Sequence, residues 1–178
     1  MAIRRSHESW HHSQVMSEPD TPKKPYVSGY HRPHILIVSD DLDLSQFLQE
    51  GLTLAGFWIS TVASALQTLE LFRLRTFDLM LIDALLEGLG ADEVVRRLRA
   101  REGPEGDVRS DIPIVLIAGS PTEVSAEQAR EMGADDAVYP PIEIEDFAAA
   151  LFQRIGEWRT ARPDRPWADE LAQRKPDG

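Results

Sequence analysis

Between His34 and Trp158, short apolar runs alternate with longer stretches in which apolar residues return every three or four positions. Ile35-Leu36-Ile37-Val38 is a continuous run that stops at Ser39-Asp40-Asp41, the pattern of a strand buried on both faces. Leu44, Phe47, Leu48, Leu52 and Ala55 follow at helical spacing, and Gly56 ends that helix. Trp58 to Val62 predicts a second, weaker strand, and Ala65, Leu66, Leu69 and Phe72 a second helix. Asp78-Leu79-Met80-Leu81-Ile82-Asp83 reads as the third strand, Val94, Val95 and Leu98 as the next helix, and residues 101–111 as a polar Gly/Pro loop. Ile112 to Ala118 is the fourth strand, Glu123 to Met132 a helix stopped by Gly133, and Ala137 to Tyr139 a short fifth strand before Pro140-Pro141. A last helix spans Glu143 to Trp158, with Ile144, Phe147, Leu151, Ile155 and Trp158 on one face.

Strict alternation of five strands with five helices predicts an α/β protein of three layers, a doubly wound (βα)5 unit on a parallel five-stranded sheet. In such a sheet, chemistry gathers beyond the carboxyl ends of the strands, near the point where the winding reverses. The residues that follow each strand are therefore the candidates for function.

Composition narrows the classes. The chain has 178 residues and no cysteine, which excludes disulfide scaffolds, thiolate zinc sites and cysteine nucleophiles. The formal net charge of -11 argues against nucleic-acid or anionic-membrane binding, both of which need concentrated Lys and Arg. Residues 1–33, 34–158 and 159–178 carry +2, -14 and +1, so the acidity belongs to the middle segment. Residues 1–33 and 159–178 are polar and poor in apolar residues, and are expected to be flexible extensions of a domain at 34–158. Met16 offers an alternative start, which would place residues 1–15 outside the native protein. With no apolar stretch behind Arg4 and Arg5 and no run near ~20 apolar residues, a cytoplasmic protein is expected. Only Lys23, Lys24 and Lys175 are lysines, so nothing between Pro25 and Arg174 supplies an ammonium group.

Ser39, Asp40 and Asp41 follow the first strand, and Asp83 ends the third. Carboxylates converging there would repel unless a cation lay between them, and hard oxygen ligands suit Mg²⁺. Asp83, shielded on a central strand beside a divalent ion, would be a candidate phosphoryl acceptor. The plainer alternative is that these acids only cap the helices that follow.

These stretches, with Phe77 to Asp83, Ile112 to Ile117, and Gly133-Ala134-Asp135-Asp136 followed by Pro141, resemble the receiver domain of two-component response regulators. The resemblance covers about residues 34–158 and implies the flavodoxin-like receiver fold. It further implies Asp83 as phosphoacceptor, Asp40 as a direct metal ligand, and Leu85 as the residue whose backbone carbonyl completes the metal site. From the residues themselves a weakly held Mg²⁺ is expected, with Asp83 among its ligands and Asp41, beside Ser39, as a further candidate. Three positions depart from the family pattern. Ser39 stands where the first of an acidic pair is expected, Ala118 where a Ser or Thr switch hydroxyl is expected, and Pro140 where a lysine is expected. Ala118 and Pro140 are 22 residues apart, the spacing expected of that pair, so misalignment does not account for the losses. After the acceptor, Glu87 and Gly90-Ala91 replace the customary Pro and Asp-Gly. A charge-assisted hydrogen bond contributes about 1.5–3 kcal/mol, so a phosphorylated state lacking the ammonium and the hydroxyl would be poorly stabilised. Ser120 could return a hydroxyl only if its loop bends back.

Other signals carry less. His7-Glu8-Ser9-Trp10-His11 matches a zinc-protease spacing but lies in a polar tail without a third ligand, and Gly88-Leu89-Gly90-Ala91 lacks the third glycine of a dinucleotide fingerprint. Pro166 to Leu171 could form a short helix presenting Trp167 and Leu171, either to a partner or folded back on its own domain. The expectation is a stand-alone, atypical receiver without independent catalysis, working through contact with a histidine kinase or another signalling protein. The last strand and its flanking helices would offer a homodimer surface, and neither nucleic acid nor membrane is an expected partner. The alternatives are a conventional Mg²⁺-dependent receiver and a flavodoxin-like cofactor-binding domain.

Overall fold

The computed structural model describes residues 31–100 and 111–173. The chain runs β1 (His34–Val38), α1 (Leu42–Ala55), β2 (Trp58–Val62), α2 (Ala65–Leu74), β3 (Leu79–Asp83), α3 (Ala91–Arg99), β4 (Ile114–Ile117), α4 (Ala126–Glu131), β5 (Asp136–Val138), α5 (Ile144–Thr160) and α6 (Ala168–Gln173). The strands form one parallel sheet in the order β2-β1-β3-β4-β5.

The sheet explains the uninterrupted apolar runs. Alternate residues point to opposite faces of a strand, and here both faces are covered. Leu36, Val38, Met80, Ile82 and Leu116 pack with Phe72, Val94 and Leu98 on one side. Ile35, Ile37, Leu79, Leu81 and Val115 pack with Leu48, Leu52, Phe147, Leu151 and Ile155 on the other. On that second side α1 and α5 lie so close at Gly51 that a Cβ there would stand 2.3 Å from Ile144 Cγ1. Gly56, at φ 109°, ends α1 in a left-handed conformation that costs glycine little.

Two boundaries differ from the sequence reading. α4 begins at Ala126 instead of Glu123, because Ser125 and Gln128 form a reciprocal capping box while the Glu123 carboxylate turns back to accept the Gly119 N–H at 2.7 Å. The domain also does not stop at residue 158. Residues 159–173, expected as part of a flexible tail, are built into the fold, and the N-terminal extension joins it at residues 31–33. Trp167 is only 9% exposed and packs into the α1/α5-side core. The His31 ring stacks on it at 5.1 Å, and the Arg159 guanidinium carbon lies 3.5 Å from its centroid. The His31 ring nitrogens reach Asp169 and Glu170 on α6, while Arg162 and Arg165 pair with Asp111. A large aromatic body buried with its charged neighbours supplies what composition alone conceals. His7 to His11 lie outside the described residues.

These contacts meet at Asp78, which immediately precedes β3 and is 2% exposed. Its carboxylate accepts the His34 N–H at 2.8 Å and the Ala168 N–H at 3.4 Å, and pairs with Arg159 Nη1 at 3.4 Å. Burial pushes its pKa up to about 6, against the opposing pull of those donors. Burial likewise lowers His34 to about 4; its ring lies 3.7 Å from that of Trp58, and its Nε2 meets Ser60 Oγ at 2.8 Å.

Candidate functional site

The winding reverses at β1, which pairs with β2 on one side and β3 on the other. The register Val38 to Ile82 makes Ser39 and Asp83 the next residues on neighbouring strands. Asp83 is 9% exposed and Ser39 4%. Ser39 Oγ donates to Asp83 Oδ2 at 2.7 Å and accepts the Asp41 N–H at 3.1 Å. The Leu85 N–H donates to the other oxygen, Oδ1, at 2.9 Å. Both oxygens of the acceptor candidate therefore hold neutral donors from their own chain.

The remaining acids take different roles. Asp40 is exposed, and its Oδ2 accepts the Glu87 N–H at 3.1 Å, linking the loops after β1 and β3. Asp41 caps α1 by accepting the Leu44 N–H at 3.0 Å, as the plainer reading of acids after a strand has it. Leu85 is a surface residue at 67% exposure.

At the end of β4, Ala118 follows Ile117, the register partner of Asp83, and is buried. Its N–H donates to the Val138 carbonyl at 3.0 Å, and its side chain offers only a methyl group. Ser120 Oγ is hydrogen-bonded to Thr122 Oγ1 at 2.8 Å, within its own loop. Tyr139 is half-buried against the core and its hydroxyl donates to the Val124 carbonyl at 3.0 Å. Pro140 is exposed and joined to Pro141 by a cis peptide bond. The β4 and β5 ends thus bring Ala118 and Pro140 to the sheet end that carries Asp83, without a hydroxyl or an amino group at either position. Tyr139 was not singled out by the sequence, although an aromatic between a short strand and a Pro-Pro pair is a legible signal for a side chain anchored to the adjacent loop.

A divalent ion at this site would draw on Asp40, Asp83 and the Leu85 carbonyl. Mg²⁺ asks for a few carboxylate oxygens in near-octahedral order. One oxygen of Asp40 and both of Asp83 already accept hydrogen bonds, Asp41 caps a helix, and Ser39 brings a donor where an acid would bring charge. No group of three or more His, Cys, Asp or Glu among the described residues is placed to hold a metal ion. The residues present do not form a ready divalent-cation site.

A parallel sheet of order 2-1-3-4-5, with acidic residues gathered at the β1/β3 reversal, defines a flavodoxin-like α/β domain. Residues 35–152 match the response regulator receiver domain, and the chain belongs to that family. It is similar to the regulatory protein VirG of Agrobacterium tumefaciens, 32% identical over 126 residues, which are 70% of this chain and 44% of VirG. It is similar also to the probable transcriptional regulator ycf27 of Cyanidium caldarium, 30% identical over 125 residues, 68% of this chain and 47% of that protein. The chain spans less than half the length of these curated relatives. Among solved structures, the signal receiver domain of an HD domain-containing protein from Pseudomonas fluorescens Pf-5 superposes with a TM-score of 0.65 at 20% identity, covering 79% of this chain and 99% of that one. The flavodoxin-like receiver fold is thereby shown, and with it a place in two-component signalling. Receivers of this family are generally signalling domains, not enzymes, and generally bind Mg²⁺ at their phosphorylation site. No helix among the described residues is long and apolar enough to cross a membrane.

Proposed function

We propose that this is an atypical receiver, in which Asp83 remains the phosphoacceptor while the conformational response to phosphorylation is weakened or lost. The observation that carries the reading is the β4/β5 end of the site. Ala118 supplies no hydroxyl to draw toward a phosphoryl group, Pro140 supplies no ammonium, and the Tyr139 hydroxyl is already bound to Val124. A phosphoryl group on Asp83 would meet no charge-assisted partner from those strands, and the loop of residues 119–125 would have no new bond to follow. Asp40 and Asp83, with the Leu85 carbonyl, hold Mg²⁺ weakly at best in this reading, and Asp41 stays with its helix. The domain works through contact with a histidine kinase or another signalling protein, and the β5 side with its flanking helices is a candidate surface for self-association.

Incubation with acetyl phosphate and Mg²⁺, followed by intact mass and amide hydrogen exchange, tests this. The expected result is substoichiometric modification that disappears in Asp83→Asn, with exchange over residues 118–125 and 139–141 unchanged. Stoichiometric modification with altered exchange in those segments would show a conventional receiver.

A further inference from the structure

The role of Ser39 can be taken further, on the reading that Asp83 is the acceptor. The hydroxyl is held by the register of two central strands, not by a loop, and is almost fully buried. Its acceptor side is occupied by the Asp41 N–H, so its proton is directed to Asp83 Oδ2, 2.7 Å away. The hydroxyl is the donor of that bond and the carboxylate oxygen its acceptor. With the Leu85 N–H on Oδ1, the carboxylate has one donor on each oxygen, and among the described residues no buried side-chain polar atom lacks a partner.

We propose that Ser39 is a positioning and specificity-determining residue for Asp83, its hydroxyl standing where a divalent cation would otherwise compensate the carboxylate, so that the site discriminates against metal ions. Two physical effects act together. Serine in place of an acid removes a negative charge that would attract a cation, and so removes the like-charge repulsion that would require one. An ion reaching Asp83 Oδ2 would also have to displace a short, buried hydrogen bond to an ionised acceptor, of the stronger kind. Asp40 cannot make up the difference alone, because it is exposed and already bridges to the Glu87 N–H. Ser39 acts through Asp83 and not on any reacting group directly. It sets the orientation of the carboxylate and the class of ion that can approach it.

The test uses the full 178-residue chain and Mn²⁺ as the probe, its binding read by water-proton relaxation with no phosphoryl donor present. Ser39→Asp restores a second strand-end carboxylate and should tighten Mn²⁺ binding at least about tenfold over the native chain. Ser39→Ala frees one Asp83 oxygen and should tighten it by about two- to tenfold, the equivalent of one hydrogen bond. Ser39→Thr keeps the hydroxyl and should return the native value, which a merely structural effect of altering a buried residue would not do. Should Ser39→Asp fail to fold, the Ala and Thr pair decides. Native protein binding Mn²⁺ as tightly as Ser39→Asp, or Ala and Thr variants with equal affinity, would overturn the role of Ser39. Either result would leave the loss of the β4/β5 relay untouched, since that part of the reading is tested by hydrogen exchange after phosphorylation, whereas the weak Mg²⁺ binding would have to be given up if the native chain bound Mn²⁺ tightly.

Discussion

The two ends of β3 each carry a buried aspartate, and the chain treats them in opposite ways. Asp83, at the carboxyl end, is held by one hydroxyl and one backbone N–H, both neutral, with a methyl group and a proline at the neighbouring strand ends where the family resemblance expects a hydroxyl and an amine. Asp78, just before the amino end, is more deeply buried and draws on β1, α5 and α6 together, with an arginine among its partners. The end associated with signalling is lightly tied. The end with no expected chemistry gathers charged and aromatic contacts from His31, His34, Arg159 and Trp167. On the proposed reading, receiver chemistry and the heavily bonded end of the fold lie at opposite ends of a single strand, and changes at one end can be used to probe the other.

The largest expected contrast is in stability. Asp78→Ala leaves the Arg159 guanidinium without its counter-ion and two backbone N–H groups without an acceptor in a buried place, and should cost about 3–5 kcal/mol in urea unfolding. Asp83→Asn keeps a carbonyl acceptor for a neutral donor and should cost about 1 kcal/mol or less. Equal losses at the two positions would remove the contrast. Trp167→Ala belongs with Asp78 and should cost about 3 kcal/mol, because a large aromatic body leaves the core and Arg159 loses its cation–π partner. A loss below about 1 kcal/mol would show that residues 159–173 add little to the fold.

Acid titration sharpens the same end. The folded-state pKa of Asp78 is raised, so its contribution to stability is full below pH about 3.8 and is lost as pH rises through about 6. The folded-state pKa of His34 is lowered, so its contribution is full above pH about 6.5 and is lost as pH falls through about 4. The native chain sums two opposed slopes over the same window. In stability difference curves, native minus Asp78→Asn should fall by about 2 kcal/mol from pH 4 to 6, and native minus His34→Gln should rise by about 2–3 kcal/mol from pH 4 to 6.5. Flat difference curves would mean that neither group is as isolated from water as its burial implies.

How much of this was readable in advance differs between the two ends for a physical reason. The Asp83 end is built from residues that directly follow apolar strands, so the strand pattern located Ser39, Asp40, Asp83 and Ala118, and the lysine positions established that no ammonium could be present at Pro140. What the pattern could not supply was the direction of side chains. Strand pattern marks Ser39 as a missing acid but carries no information on where its hydroxyl points, and it does not distinguish Asp41 the ligand from Asp41 the cap. The Asp78 end depends on residues far apart in the chain, His31, His34, Arg159 and Trp167, that no periodicity connects. A polar stretch such as Arg159 to Arg165 looks solvated until an aromatic and a buried carboxylate give its arginines partners. The tail was legible only as a Trp and a Leu at helical spacing.

The smallest expected effect bears on the signalling end. Tyr139 Oη donates to the Val124 carbonyl across the gap between β5 and the loop before α4, and with Ala118 presenting only a methyl group that bond is the specific polar tie between the aromatic and the loop. Tyr139→Phe removes one neutral, partly buried hydrogen bond and should lower stability by about 0.5–1.5 kcal/mol. Its effect on exchange should be local, with faster amide exchange in residues 119–125 and no change around Asp78 or Trp167. Ala118→Ser is the natural companion, because it returns a hydroxyl to the end of β4 while leaving the Tyr139 bond in place. If exchange in the loop then responds to acetyl phosphate in the Ala118→Ser, Tyr139→Phe double variant but in neither single variant, the native chain is silent because a hydroxyl is missing and a tyrosine is tied. If Ala118→Ser alone restores the response, the tie is incidental and the missing hydroxyl is the whole cause.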